Sequence, residues 1–217
     1  MPPHFGMELR TKTMSHLRTA KNIAVAVSGS GRSLENLINL SSNLNFNVKA
    51  VFASNPHCKA VAIANAHSIE VVINDYRNET SSQEILRWST DNNIQLIVLA
   101  GFLKKFPTSE EWANRIINIH PALLPSYGGK GMYGMNVHNA VYKSGDKITG
   151  ATIHFVNGKY DEGKIISQIV VSTAGLKTPE EIASKVFAAE CQLLPQTIAQ
   201  IIANNWPTDT IEVLNYE

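Results

Sequence analysis

An apolar run, Ile23-Ala-Val-Ala-Val27, passes directly into Ser28-Gly29-Ser30-Gly31, after which Leu34, Leu37 and Ile38 recur at helical spacing. A strand that is apolar at every position needs cover on both faces, which is the situation of a parallel sheet clad by helices. The same alternation continues down the chain. Strands are predicted at about Val48–Ala53, Ile69–Ile73, Ile94–Leu99 and Ile116–Ile119, with helices at about Lys59–His67 and Ser81–Asp91. Strand and helix in this order predict an α/β fold, a Rossmann-like, mostly parallel twisted sheet flanked by helices and joined by right-handed crossovers.

The second half changes character. His120 to Gly134 contains two prolines and four glycines and is too long for a simple connection, which marks it as a functional loop. Asn136–Lys143 is expected to be a short helix. Gly150–Val156 and Lys164–Val171 read as two strands of a hairpin around the turn Asn157–Gly163. Thr178-Pro179-Glu180-Glu181 is a helix start, with Thr as cap, Pro in the first turn and Glu three residues on. Ile182, Val186, Ala189 and Leu193 give that helix a buried stripe.

Composition narrows the partners. Of 217 residues, 44% are hydrophobic and 17% charged, enough apolar material for a sizeable core. Nineteen basic and eighteen acidic side chains leave a net charge of +1, without the excess that a nucleic-acid binder or an anionic-membrane binder carries. Any phosphate must therefore be met by a local pocket. Cys58 and Cys191 are too few for a disulfide framework and suit a reducing compartment. Residues 1–21 carry Arg10, Lys12, Arg18 and Lys21 with Glu8, but no apolar run of signal-peptide length. They are expected to form a disordered arm on a cytoplasmic protein, with residues 22–217 as one domain of two halves, 22–119 and 120–217.

Two places can carry chemistry. The turn Ser28–Ser33 leads into a helix, where glycines allow close approach and free N–H groups favour an anion. A dinucleotide fingerprint would need a third glycine where Leu34 stands and an acid after the second strand, where Ala53-Ser54-Asn55 stands. A phosphomonoester at Gly31, Arg32 and Ser33 is the better expectation, with an ordinary tight turn as the bland alternative. The second place is Asn118-Ile-His120-Pro121. Strand alternation puts Asn118 and His120 on one side at the carboxyl end of the sheet, where open α/β sheets place ligands. Carboxamide and imidazole together can donate to a developing oxyanion. The histidines show no zinc spacing, and His154 is expected to stand behind the site rather than bind a metal.

Asn118-Ile-His120-Pro-Ala-Leu-Leu-Pro125 resembles the signature of the folate-dependent formyltransferases. Ser28–Gly31, Val98-Leu-Ala-Gly-Phe102, Ile153-His-Phe-Val156 and Tyr160-Asp-Glu-Gly163 match in the same order, so the resemblance covers about Asn22 to Pro195. It implies the formyltransferase fold and transfer of a formyl group from the co-substrate 10-formyltetrahydrofolate, without a metal, to the amine of phosphoribosylglycinamide, as in the purine-pathway branch of the family. By the same resemblance Asn118, His120 and Asp161 are the catalytic trio. Gly31, Arg32, Ser33 and Glu190 hold the ribotide, while Leu103, Lys104, Lys105, Phe106, Asn118, Asn157, Gly158, Lys159, Tyr160 and Asp161 line the folate pocket. Asp161 is expected to orient His120 and raise its pKa.

The chain departs from the family pattern at three points. Arg32 stands where a small residue is usual, Phe187 where a polar one is usual, and the Tyr127–Met135 loop is long, placing Lys130 near the site. Other activities on the same fold are a formyl-folate hydrolase and formyl transfer to methionyl-tRNA or a nucleotide sugar. The hydrolase and tRNA relatives carry an extra domain, and tRNA calls for a basic face. A phosphate-ligand-binding module with an idle Asn–His pair is the non-enzyme alternative. The partners expected are small molecules, not nucleic acid or membrane, with the chain a monomer or homodimer.

Overall fold

Successive residues of strand β1 (Lys21–Val27) enter two different cores. Val25 and Val27 pack with Leu34, Leu37 and Val186, whereas Ala24 and Ala26 pack with Ile85, Leu86 and Trp112. Burial on both faces is what the unbroken apolar run requires. The computed structural model describes residues 20–204 and 214–216, so the arm expected over residues 1–21 lies almost wholly outside the described residues.

One sheet runs through them. β2 (Phe46–Ala53), β3 (Glu70–Ile73), β4 (Leu96–Leu99) and β5 (Ile116–His120) join β1 in the order β3-β2-β1-β4-β5, all parallel. β6 (Ile148–Phe155) pairs antiparallel with β5 and with β7 (Ile165–Ser172), forming the expected hairpin. β8 (Leu214–Tyr216), which the sequence did not announce, pairs parallel with β7 at the far edge.

The helices are α1 (Arg32–Ser41), α2 (Lys59–Ala66), α3 (Glu79–Asp91), α4 (Met135–Ser144) and α5 (Pro179–Ala203). α3 starts two residues before the expected position because the Asn78 side chain accepts from Ser81 N–H and caps it there. No helix joins β4 to β5. That connection covers the sheet with Phe106 and Trp112, both buried.

α5 runs on through Pro195, a residue that normally breaks a helix because it lacks the N–H owed to the carbonyl four residues back. The carbonyl concerned belongs to Cys191, and it accepts instead from Asn36 Nδ2 at 2.9 Å. The missing helix bond thus becomes a tie between α1 and α5. The start of α5 is capped as its sequence predicts: Thr178 Oγ1 accepts from Glu181 N–H at 3.2 Å, and the Glu181 carboxylate accepts from Lys177 N–H at 2.6 Å. Among the described residues no helix is long and apolar enough to cross a membrane.

Candidate active site

Strand register assembles the polar cluster. Antiparallel pairing sets His154 of β6 opposite Asn118 of β5, and Thr152 opposite His120. Opposed residues share a face, so two imidazoles and a carboxamide are brought to one end of the sheet. Asp161 comes to the same place from the turn after β6, where its left-handed φ of 57° aims the carboxylate back at the strands. Asp161 Oδ2 is 3.6 Å from His120 Nδ1, and Oδ1 is 3.4 Å from both His154 Nε2 and Asn118 Nδ2.

Hydrogen-bond bookkeeping fixes the rings. His120 Nε2 lies 2.8 Å from the Tyr127 carbonyl oxygen, which can only accept, so Nε2 carries a hydrogen and Nδ1 faces Asp161. His154 Nδ1 likewise donates to the Phe155 carbonyl at 2.8 Å. Its Nε2 then accepts from Asn118 Nδ2 at 3.0 Å and lies 3.4 Å from Asp161 Oδ1. Tyr127 is itself anchored, its hydroxyl donating to the Asp146 carboxylate and lying 2.7 Å from Ser144 Oγ. Asp161 Oδ2 also accepts from Gly129 N–H at 2.9 Å, which pins the glycine-rich loop to the cluster.

Asp161 raises the His120 pKa as expected, yet the net shift is downward. Burial lowers it below the ordinary histidine value, more strongly than the Asp161 charge and the Tyr127 carbonyl raise it, and the nearby His154 adds to the lowering. Around Asp161, burial pushes the carboxyl upward but is outweighed by the hydrogen bond with His154, the His120 charge and the Gly129 N–H. A neutral imidazole beside an ionised carboxylate is the resting state of such a pair near pH 7.

The cluster opens into a cavity of about 720 Å³, a size suited to small ligands. Gly31, Arg32, Ser33 and Glu190 form one wall, so the residues expected to hold the ribotide share the cavity with Asn118, His120 and Asp161. Leu103, Lys104, Lys105, Phe106, Gly158, Lys159, Tyr160 and Asp161 also line it, as does Lys130 from the loop. Asn157 does not line the cavity. Its side chain is turned to its own loop, accepting from Lys159 N–H at 3.1 Å and donating to the Glu162 carbonyl at 3.3 Å. The Phe106 ring is buried among Phe52, Tyr76 and Phe102, which leaves its backbone as the part available to the cavity. Leu103 N–H is already bonded to Ser28 Oγ at 3.0 Å.

The Ser28–Ser33 turn is built by close approach. Gly31 has φ 75°, and a Cβ there would lie 2.8 Å from Ala60 Cα. It caps α1 without a side-chain bond, so N–H groups at the helix start face the cavity wall without a side-chain partner. Glu190 is partly buried on α5, and that burial pushes its carboxyl up to about 7 against the opposing charge of Arg32. Sequence reasoning underrated two residues. His154 belongs to the cluster through a cross-strand register that one strand alone cannot reveal. His138, on α4, is buried and lines the cavity, with Nδ1 lacking a hydrogen-bond partner among the described residues. Among those residues no group of three or more His, Cys, Asp or Glu side chains is placed to hold a metal ion.

Comparison with known proteins agrees with this geometry. The formyl transferase family profile matches residues 21–198. A chloroplastic phosphoribosylglycinamide formyltransferase of Arabidopsis thaliana is 33% identical over 211 residues, covering 92% of this chain and 72% of that protein. The corresponding protein of Vigna unguiculata is 32% identical, with 89% of this chain and 65% of the relative aligned. The solved phosphoribosylglycinamide formyltransferase of Bacillus halodurans superposes with a TM-score of 0.77 at 29% identity, covering 86% of this chain and 97% of that one. With the matched region spanning β1 to α5 and carrying every residue of the polar cluster, the chain belongs to the formyl transferase family.

Proposed function

We propose that the chain transfers a formyl group from 10-formyltetrahydrofolate to the amino group of 5′-phosphoribosylglycinamide, in purine biosynthesis and in a cytoplasmic setting. The observation that carries this reading is one cavity lined together by Asn118, His120 and Asp161, the start of α1 and a set of apolar side chains. Leu99, Phe102, Leu103 and Val156 supply flat apolar cover there, and the turn backbone around Gly158–Asp161 supplies donors and acceptors, which suits a pteridine-like head group. We read residues 22–119 as the half that carries the phosphate-binding turn and 120–217 as the folate-binding half, with Leu99–Phe106 lent to the folate and Glu190 to the ribotide from across the division.

Formyl-folate supplies an electrophilic formyl carbon, and the substrate amine attacks it as the carbon–nitrogen bond to folate breaks. The protein's part is electrostatic. Negative charge gathers on the formyl oxygen, and the donors aimed at it are the Asn118 carboxamide and, once protonated, His120 Nδ1–H. His120 Nε2–H is held by the Tyr127 carbonyl, so the proton that comes and goes is the one on Nδ1. Asp161 faces that atom and favours its protonated state as the oxyanion forms. The amine proton leaves for the folate nitrogen, with the Asp161 carboxylate as its local acceptor or through a water.

The test is a purified-protein assay with both substrates, following formylated product and free formate. Formylated ribotide is expected. Formate alone would indicate the hydrolase, and no turnover would leave a binding module.

A further inference from the structure

Two positions that depart from the family pattern meet in space. The guanidinium carbon of Arg32, the first residue of α1, lies 3.9 Å from the centre of the Phe187 ring on α5. One helical turn further along both helices, Asn36 Nδ2 bonds the Cys191 carbonyl that Pro195 leaves free. These contacts form a ladder of two rungs holding α1 and α5 in fixed register. Glu190 lies between the rungs on α5, lines the same cavity, and feels the Arg32 charge.

We propose that Arg32, braced on the Phe187 ring, is the specificity-determining cation for the phosphorylated end of the amine substrate, and that Phe187 acts through it as a positioning residue. The proposal deepens the reading of function given above and rests on it.

Electrostatics supply the reason for a cation here. A phosphate monoester at the start of α1 would carry up to two negative charges beside the Glu190 carboxylate, and the two anions repel. A guanidinium at Arg32 stands next to both and relieves that repulsion. With its central carbon 3.9 Å from the ring centre, it still has N–H groups to offer phosphate oxygens. Arg32 is exposed, and an unbraced exposed arginine samples many rotamers. The Phe187 face restricts it to positions over the cavity wall, which gives an apolar residue a purpose at a polar site.

The experiment measures calorimetric binding of phosphoribosylglycinamide and of its 5′-dephosphorylated form to the full chain and to R32Q, F187L and R32Q/F187L. Melting temperatures and the KM for formyl-folate serve as controls. R32Q should weaken binding of the phosphorylated ligand roughly tenfold or more, the size of one charge-assisted hydrogen bond, and leave the dephosphorylated ligand nearly unchanged. F187L keeps apolar volume but removes the π face, and should cost about threefold on the phosphorylated ligand alone. The double variant should bind no worse than R32Q, since the ring acts only through the guanidinium.

Equal losses for both ligands in R32Q would overturn the proposal, as would an F187L effect that persists in the R32Q background. So would a parent protein that binds the two ligands equally. Because binding is read without turnover, a parent that binds ribotide in this pattern but forms no product removes the proposed activity and leaves the Arg32–Phe187 pair standing. A parent that formylates ribotide with unchanged binding in R32Q removes the pair and leaves the activity.

Discussion

The Asn118 carboxamide nitrogen lies 3.0 Å from His154 Nε2, whose ring is fixed from behind by the Nδ1–H donated to the Phe155 carbonyl. Asn118 Nδ2 also lies 3.4 Å from Asp161 Oδ1, near the long limit of a hydrogen bond. Its two hydrogens thus face one well-formed and one poor partner. The weaker contact is the one that can yield to a formyl oxygen, while His154 keeps the amide plane oriented.

His154→Leu should therefore lower kcat by about tenfold, the cost of one hydrogen bond lost at a preorganised donor, with KM for both substrates little changed. The check is steady-state kinetics on both substrates. A loss confined to KM would show that His154 shapes the pocket rather than orienting Asn118.

Glycines of the phosphate loop separate folding from binding. A side chain at Gly31 would meet Ala60 Cα at 2.8 Å and would need a left-handed φ of 75°, so substitution there damages the α1–α2 packing. At Gly29 an added Cβ meets nothing within 4 Å, although the residue lines the cavity. Gly29→Ala should leave the melting temperature within about 2 °C and raise KM for the ribotide, whereas Gly31→Ala should lose roughly 1–3 kcal/mol of stability. Thermal melts beside ribotide KM values decide it. A Gly29→Ala protein with parental KM would move the phosphate away from this loop.

The strands were legible because period and burial agree. Ile23–Val27 and Leu96–Leu99 are apolar throughout, and both stretches lie in parallel strands buried on both faces. Thr178 and Glu181 announced the start of α5 through local capping chemistry. What was hidden depends on tertiary contacts. Asn118 opposes His154 only because β6 runs antiparallel to β5, which neither strand encodes alone. Asp161 acts on His120 in the expected direction, but the net shift is set by a burial that only the tertiary structure shows. The continuation of α5 through Pro195 likewise depends on Asn36, far away in sequence, which takes up the carbonyl that the proline leaves free.

Glu190 gives a stability signature with a definite sign. Burial raises its carboxyl to about 7, so the folded state holds a proton that the unfolded chain has already released. Its contribution is fully present below the ordinary glutamate value and is lost as pH rises through about 7. Glu190→Gln keeps the neutral shape and should melt a few degrees above the parent at pH 8, with little difference at pH 4.5. Melting curves at the two pH values test this, and an advantage confined to low pH would reverse the assignment. His120 and His138, both lowered by burial, act in the opposite sense. Their stabilising contribution is full above the ordinary histidine value and is lost as pH falls through their depressed values.

Asp161 carries the last and most demanding expectation, because three contacts converge on it. Its carboxylate faces His120 Nδ1 at 3.6 Å and His154 Nε2 at 3.4 Å, and it accepts Gly129 N–H at 2.9 Å. Asp161→Asn retains the size and an acceptor for Gly129 but removes the charge that offsets burial at His120. The His120 pKa should then fall further, leaving Nδ1 unprotonated as charge develops on the formyl oxygen. General acid assistance is worth roughly 10²–10⁴ in rate, so kcat should drop by that order with the fold retained. His120→Asn should cost a similar factor, and the double variant little more, because carboxylate and imidazole act as one unit. Measuring kcat for the three variants with melting curves alongside separates chemistry from folding. A rate for Asp161→Asn within about threefold of the parent would remove Asp161 from the mechanism. Losses that multiply in the double variant would instead mean that Asp161 acts on the amine proton independently of His120.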